Sequence, residues 1–181
     1  MMRYRIAAIL TLPLVSAAAC AMPFSIAAQP SMPLAVSSEN YATVTISVGL
    51  DAGGQAWLSA AFVPAEPQDY LYSKDLPRKG VDGLGRPTLL ELVPDSCLQA
   101  MGPLRESVAA AQGNGPAGLW IYPPGPVTLR MPVGLPEGDG WTDDRVSVTY
   151  VVCSGGICRI PVVAKLIPIR VPGYKTLQRS G

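Results

Sequence analysis

Residues 146–169 limit the possible folds of this chain most strongly, because they form two strand-like runs joined by a glycine pair, with a cysteine on each side. Residues 146–152 are dense in β-branched and aromatic side chains, which favours a β-strand. The glycines within residues 154–157 can take the positive φ that a short connection needs. Residues 158–169 supply the second strand. The pattern therefore predicts a β-hairpin.

The two cysteines of this hairpin are expected to face each other. Antiparallel pairing across residues 154–157 places Cys153 opposite Cys158. Facing Cα atoms in such a ladder lie about 4.5–5.5 Å apart, and a disulfide needs about 4.4–6.8 Å. A disulfide is therefore allowed without movement of the backbone.

The residues alone leave the purpose of this bond open. In the loop-entropy argument, closing so short a loop is worth only about 2 kcal/mol, against about 4 kcal/mol for a loop of several tens of residues. A short, accessible disulfide is also easily reduced. Both a structural staple and a redox-active pair remain. A metal site is not predicted, because the chain has no histidine and zinc usually takes four Cys or His ligands.

The rest of the chain also reads as strands. Residues 41–50 alternate between apolar and polar side chains, and residues 55–63 follow after the turn at residues 51–54, so these segments predict a hairpin. Further strands are predicted at residues 88–93 and 127–133. The 19 prolines and 18 glycines, spread along the chain, fit many short strands joined by turns. With 14 basic and 13 acidic residues, nothing indicates nucleic-acid binding.

Residues 96–112 are the one helical candidate. Apolar residues recur there at intervals of three and four, at Leu98, Met101, Leu104 and Val108, although Pro103 interrupts the pattern. This segment contains Cys97, which has no evident internal partner. It is interpreted as a buried free thiol, with a dimerising thiol or a resolving thiol for the hairpin pair as alternatives.

The N-terminal residues predict export. Residues 1–21 have the layout of a signal peptide, with Arg3 and Arg5 before a short apolar run and small residues after it; the cleavage site falls between residues 19 and 28. Cys20 allows an alternative in which it is lipidated and anchors the protein. An exported chain meets an oxidising compartment, where disulfides persist. The predicted divisions are a flexible leader at residues 22–38, one domain at residues 39–170 and a flexible tail at residues 171–181.

Several motifs resemble a known family when they are taken in order. Tyr150, Cys153, Cys158 and Pro161 are similar to the signature of the N-terminal periplasmic domain of DsbD, the thiol:disulfide interchange protein, which is shared by disulfide-corrector and copper-tolerance domains. Residues 70–75, 80–92, 121–122 and 127–133 resemble other strands of that family. The resemblance covers roughly residues 41–169.

This resemblance implies an all-β fold, an immunoglobulin-like β-sandwich with at most one short helix. It implies a periplasmic domain without a cofactor that passes electrons from a membrane thiol reductase to periplasmic thioredoxin-like clients through Cys153 and Cys158. Cys158 is then the partner-facing thiol and Cys153 the resolving one. The family shields its disulfide with an aromatic cap loop, whereas residues 112–118 contain no aromatic residue. Candidate shielding residues are Tyr70, Tyr72 and Trp120.

Two other interpretations compete with the electron carrier. One is an immunoglobulin-like binding or assembly module with a structural disulfide, and the other is a copper-tolerance accessory protein. The basic segment at residues 74–86 is a solvated loop or a surface for an acidic partner. Arg159 is the candidate for lowering the pKa of the adjacent Cys158 thiol, although neighbours in a strand point to opposite faces.

Overall fold

Two antiparallel sheets account for most of the structure, a computed structural model that describes residues 31–180. The strands are β1 (Ser31–Glu39), β2 (Ala42–Leu50), β3 (Ala56–Pro64), β4 (Leu89–Leu92), β5 (Gln99–Ala100), β6 (Arg105–Glu106), β7 (Ala111–Gln112), β8 (Trp120–Ile121), β9 (Val127–Gly134), β10 (Trp141–Tyr150), β11 (Cys153–Ser154), β12 (Ile157–Cys158) and β13 (Val162–Pro172), and one helix, α1 (Tyr174–Ser180), follows them. The predicted all-β class with at most one short helix is confirmed.

The larger sheet has the order β1-β2-β3-β9-β5, and β6 also pairs with β9. The smaller sheet has the order β13-β10-β4. Two short pairs lie outside these sheets: β7 with β8, and β11 with β12. The predicted hairpin of residues 41–63 is confirmed, because β2 pairs with β3 from Ala42↔Pro64 to Leu50↔Ala56.

One apolar core joins the two sheets. The alternation predicted for β2 is observed, since Ala42, Val44, Ile46 and Val48 are buried. Side chains from β3 and β9 on the larger sheet pack with side chains from β10 and β13 on the smaller one, so each sheet buries one face against the other. The largest fully buried members of this core are Tyr122, Tyr150, Phe62, Ile46, Leu58, Leu71, Leu90 and Leu129.

The predicted helix at residues 96–112 is wrong. The segment instead forms the short strands β5 and β6, which pair with β9 at the margin of the larger sheet, and β7, which pairs with β8 outside it. Leu98 is buried in the core, and Leu104 and Val108 pack against it. These apolar residues therefore reach the core from an extended chain that runs along its edge. A helix is disfavoured because Pro103 lacks the N–H that a helix would use.

The two predicted flexible ends are also corrected. β1 begins at Ser31, inside the predicted leader, and pairs with β2 from Ser31↔Gly49 to Glu39↔Ala42. The helix lies in the predicted tail, where Leu177 is buried and the Tyr174 hydroxyl donates to the Gly54 carbonyl at 3.0 Å. β1 is thus paired with the adjacent strand β2, and α1 is held by a contact across 120 residues. Within residues 31–180, no helix is long and apolar enough to cross a membrane.

Candidate functional site

Cys153 and Cys158 form a disulfide at the tip of the hairpin predicted from the sequence. They are directly paired across β11 and β12, with their Cα atoms 4.0 Å apart. The next pair is Ser154↔Ile157, so the connection is shorter than predicted and consists of Gly155 and Gly156. These two glycines have φ of 55° and 86°, which is the left-handed backbone that a two-residue turn requires.

The hairpin tip, residues 153–158, is not part of the smaller sheet. Pairing of β10 with β13 ends at Tyr150↔Val162, and the second strand, predicted as continuous from residue 158, is interrupted at residues 159–161. The Arg159 N–H donates to the Val152 carbonyl at 2.9 Å and closes the tip as a unit of its own. The disulfide therefore lies outside the core that joins the two sheets.

A second apolar cluster, separate from the main core, packs against the hairpin tip. Val151 and Cys153 point away from the main core and pack with Tyr72, Leu76 and Leu119. The backbones of Tyr70 and Cys153 exchange two hydrogen bonds of 3.0 Å. Tyr150 and Val152 belong to the main core, so side chains alternate between the two clusters along this segment.

The turn between β1 and β2 holds the outer side of the tip. The Asn40 side-chain amide donates to the Ile160 carbonyl at 3.0 Å. The Arg159 guanidinium lies over the Tyr41 ring, 4.0 Å from its centroid. The tip is thus fixed between this turn and the segment that contains Tyr70 and Tyr72.

The two sulfur-bearing residues differ in access to solvent. Cys153 has 0% relative exposure, whereas Cys158 is exposed. The residue that precedes Cys158, Ile157, is itself 74% exposed. Of the two cysteines, Cys158 is thus the one that solvent reaches.

Tyr72 is the aromatic residue in contact with the disulfide. Its hydroxyl lies 3.5 Å from Cys158 Sγ, and because a disulfide sulfur has no hydrogen, the tyrosine O–H is the donor. The Tyr72 residue is only 4% exposed. Burial raises the pKa of Tyr72 to about 12, and the adjacent Tyr70 adds to the effect. Tyr72 therefore keeps its proton at neutral pH.

The segment around Tyr72 is tied on both sides. Tyr72 pairs with Ile121 of β8, and its carbonyl accepts a 2.7 Å hydrogen bond from the buried Thr88 hydroxyl. The Tyr70 ring meets the Tyr72 ring edge-on, with centroids 5.9 Å apart. These contacts fix the direction of the Tyr72 hydroxyl towards the disulfide.

Of the three candidate shielding aromatics, the structure brings Tyr70 and Tyr72 to the disulfide. Trp120 is 46% exposed and does not line the space beside the cysteines. Its neighbour Ile121 does line that space, and side chains of consecutive strand residues point in opposite directions. The periodicity of β8 therefore explains why Trp120 is directed elsewhere.

A cleft of about 640 Å³ opens beside Cys158. Its walls come from loops that are distant in sequence, which is why sequence analysis did not find it. Arg86 and Arg159 are its charged residues, and none of its lining residues is acidic. One uncharged polar residue of a loop, Asn114, also lines the cleft. The remaining walls are apolar or aromatic side chains and glycine backbone: Tyr70, Tyr72, Leu84, Leu119, Ile121, Val151, Pro161, Gly83, Gly85, Gly113, Gly155 and Gly156.

The basic loop at residues 74–86 is partly neutralised within the protein. Lys74 forms an ion pair with Asp75, and Arg78 forms one with Glu91. Arg86 has no ion pair among residues 31–180; its Nη1 donates to the carbonyls of residues 79, 83 and 85 at 2.6–3.3 Å. These bonds hold the Arg86 guanidinium at the wall of the cleft.

Cys97 is a free, partly buried thiol that does not lie beside the disulfide. Its Sγ and its backbone N–H both donate to one oxygen of Asp144, at 3.1 and 3.0 Å. The Ser96 hydroxyl donates to the same oxygen at 2.7 Å. Burial and this carboxylate raise the pKa of the Cys97 thiol to about 12. Cys97 is thus a poor nucleophile.

Residues 31–180 contain no cluster of three or more His, Cys, Asp or Glu side chains that would hold a metal ion. The predicted signal peptide and Cys20 lie outside the described residues. A comparison of the chain with protein-family models, curated proteins and solved structures found no match. The chemistry of the site therefore rests on the geometry of the cysteine hairpin and its cleft.

Proposed function

We propose that this protein is a periplasmic thiol:disulfide interchange domain that transfers electrons through Cys153 and Cys158. The observation that supports it most is the asymmetry of the disulfide: Cys158 is an exposed residue that lines a cleft, and Cys153 is fully buried. A disulfide that only holds a hairpin together has no need of an open approach to one sulfur. The proposed location and the immunoglobulin-like family rest on the sequence motifs.

In the proposed reaction, a partner thiolate attacks Cys158 Sγ. The Cys153–Cys158 bond breaks, a mixed disulfide forms between the partner and Cys158, and the bonding electrons leave on Cys153 Sγ. A second partner thiol then attacks the partner sulfur of the mixed disulfide. The partner becomes oxidised and both protein cysteines are reduced. The reverse sequence delivers the two electrons to a client disulfide.

Tyr72 has a defined place in this reaction. Because it stays protonated at neutral pH, its hydroxyl can donate to Cys158 in the disulfide and to the thiolate that replaces it. A hydrogen bond to the ionised form lowers the pKa of a thiol. We therefore assign Tyr72 the stabilisation of the Cys158 thiolate, the role that sequence analysis gave to Arg159.

The partners proposed for this exchange are a membrane thiol reductase as donor and periplasmic thioredoxin-like proteins as acceptors. Exposed apolar side chains surround the disulfide, since Ile157 and Ile160 are 74% and 77% exposed and Leu84 is 50% exposed. Apolar surface beside a reactive group is typical of protein contact sites. It suits a partner that must bring its own cysteine to Cys158.

The redox equilibrium of the disulfide tests this proposal. The protein is equilibrated in a series of glutathione buffers, and free thiols are trapped and located by peptide mass spectrometry. A disulfide used as a carrier is expected to titrate between about −120 and −270 mV. Resistance to reduction below about −300 mV would identify a structural bond.

The structural alternative is supported by one observation, the complete burial of Cys153 in the second cluster. A binding module with a structural disulfide would lose stability on reduction. In the loop-entropy argument, opening this bond costs about 2 kcal/mol. A carrier keeps its fold in the reduced state, so far-ultraviolet circular dichroism and urea unfolding of the reduced protein separate the two interpretations.

Trapping experiments assign the two cysteines. In Cys153→Ser, the Cys158 thiolate attacks an oxidised partner, the partner disulfide breaks and a mixed disulfide forms; Cys153 is absent and cannot release the partner, so the adduct should accumulate. Cys158→Ser removes the proposed attacking thiol and should give no adduct with the same disulfide-bonded partner. Equal adduct yields from the two variants would reject the assignment of Cys158 as the partner-facing thiol.

A further inference from the structure

Both charged residues in the lining of the cleft beside Cys158 are basic, which would favour acidic thiols. Arg86 and Arg159 line it together with the exposed cysteine, and no acidic residue is among its lining residues. Neither arginine has an ion-pair partner within residues 31–180. Four exposed arginines of the described chain do have one, Arg78, Arg145, Arg170 and Arg179, whereas the exposed Arg105 lies over the Trp57 ring without an ion pair. The cleft thus has two arginines and no acidic residue in the lining that it shares with Cys158.

Both guanidinium groups are held in place by contacts that do not neutralise them. Arg86 Nη1 donates to backbone carbonyls of its own loop. Arg159 stacks on the Tyr41 ring. A planar guanidinium held in one orientation matches a carboxylate with two parallel hydrogen bonds. The two residues are therefore suited to carboxylates of a bound ligand.

The size and walls of the cleft restrict the ligand further. About 640 Å³ lies within the range of small-molecule sites. Leu84, Leu119 and Ile121 supply apolar walls. The residues with polar groups in the lining are Arg86, Arg159, Asn114, Tyr70, Tyr72 and Cys158. A short peptide with a central thiol and carboxylates at its ends fits this arrangement.

We infer that the cleft is a binding site for small acidic peptide thiols of the glutathione class, with Arg86 and Arg159 as carboxylate-binding residues. This inference rests on the proposed thiol:disulfide exchange and names a substrate class for it. Glutathione has one thiol, two carboxylates and one ammonium group, so its net charge opposes that of the two arginines.

The exchange balances as follows. The glutathione thiolate attacks Cys158 Sγ, the Cys153–Cys158 bond breaks, and Cys153 leaves as a thiolate that takes up a proton. A second glutathione thiolate attacks the glutathione sulfur of the mixed disulfide. Glutathione disulfide is released and Cys158 leaves as a thiolate. Two glutathione molecules are oxidised and one protein disulfide is reduced.

The test compares glutathione with its diethyl ester, which carries the same thiol without free carboxylates. Second-order rate constants for reduction of the full-length protein are measured at low ionic strength and expressed per thiolate. Exposed ion pairs are individually weak, so two of them are expected to give glutathione an advantage of roughly fivefold to tenfold. Salt should reduce this advantage.

Arginine variants locate the effect. Arg159→Gln is the first choice because its side chain is exposed, and Arg86→Gln is the second; each should lower the preference for glutathione towards one. Arg170→Gln is the control, because it removes the same charge from β13 without touching the cleft. The control should keep the wild-type preference.

Each other outcome has a definite meaning. If the two thiols reduce the wild-type protein equally fast, the selective cleft is refuted while thiol:disulfide exchange stands. An equal loss of preference in Arg170→Gln would show an effect of net charge and would also refute the site. If neither thiol reduces the disulfide, both the site and the proposed function are wrong.

Discussion

Replacing Tyr72 with Phe should raise the pKa of the Cys158 thiol by about one unit. The change removes the hydroxyl that lies 3.5 Å from Cys158 Sγ and keeps the buried ring. A hydrogen bond to an ionised group is worth about 1.5–3 kcal/mol, and about 1.4 kcal/mol corresponds to one pKa unit. The long donor–sulfur distance favours the lower end of that range.

The assay is the pH dependence of alkylation. The reduced protein reacts with iodoacetamide at a series of pH values, and peptide mass spectrometry follows the modification of Cys158 alone. Only the thiolate reacts, so the midpoint of the rate profile reports the thiol pKa. The midpoint of Tyr72→Phe is expected above that of the unchanged protein.

Tyr150→Phe is the matched control. It also removes a largely buried tyrosine hydroxyl, but that hydroxyl donates to the Glu39 carbonyl at 2.8 Å and not to a cysteine. Its alkylation midpoint should match that of the unchanged protein, while its stability is expected to fall by the cost of one hydrogen bond, about 1 kcal/mol. An identical midpoint in Tyr72→Phe would refute the assigned role of Tyr72.

Three further predictions concern other contacts of the structure. Gly85→Ala should slow thiol–disulfide exchange and destabilise the protein, because a Cβ at this position would lie 3.0 Å from the Tyr72 ring. Gly83→Ala is the control, with a similar φ of 81° and nothing within 4 Å of the added Cβ; it should cost only the backbone strain of about 1–2 kcal/mol. Similar exchange rates in the two variants would contradict this. Native Cys97 should react with N-ethylmaleimide at pH 8 roughly 10²–10³-fold more slowly than in urea, since its pKa is raised from 9.0 to about 12, and site-resolved mass spectrometry measures the ratio. The free energy of unfolding should fall as the pH rises from 10 to 12, because the folded protein keeps the Tyr72 proton that the unfolded chain loses near pH 10; urea titrations that show constant stability over this interval would oppose it.

Local patterns in the sequence were sufficient to predict the long strands and the pairing of the two cysteines. The alternation of residues 42–48 reports a sheet with one buried face, and it was predicted residue by residue. The facing of Cys153 and Cys158 follows from a short glycine connection, which fixes the register of a hairpin. Both features depend on residues that are close together in the chain.

The errors occurred where distant contacts decide the local structure. Residues 96–112 have a helical spacing of apolar side chains, but Asp144 binds Ser96 and Cys97 across nearly fifty residues and holds the segment at the sheet margin. The tail helix is short and polar, and the contact from Tyr174 to Gly54 anchors it across 120 residues. No local periodicity reports such contacts.

The cleft was missed for the same reason. Its walls come from residues 83–86, residues 113–114 and the cysteine hairpin, which meet only in the folded chain. The sequence did single out Tyr70 and Tyr72 through the family resemblance, and both line the cleft. Trp120 was selected by its position in the sequence alone. Its side chain is directed away from the cleft, because Ile121, the next residue of the strand, lines it.

The separation of the hairpin tip from the main core has a consequence for how the reduction potential can be tuned. In a thermodynamic cycle, the difference in unfolding free energy between the oxidised and reduced protein equals the difference in reduction free energy between the unfolded and native chain. Because the disulfide contacts the second cluster and not the main core, side chains such as Leu119 and Val151 set that difference. A change of about 1.4 kcal/mol there shifts the potential by about 30 mV, while the two sheets keep their packing.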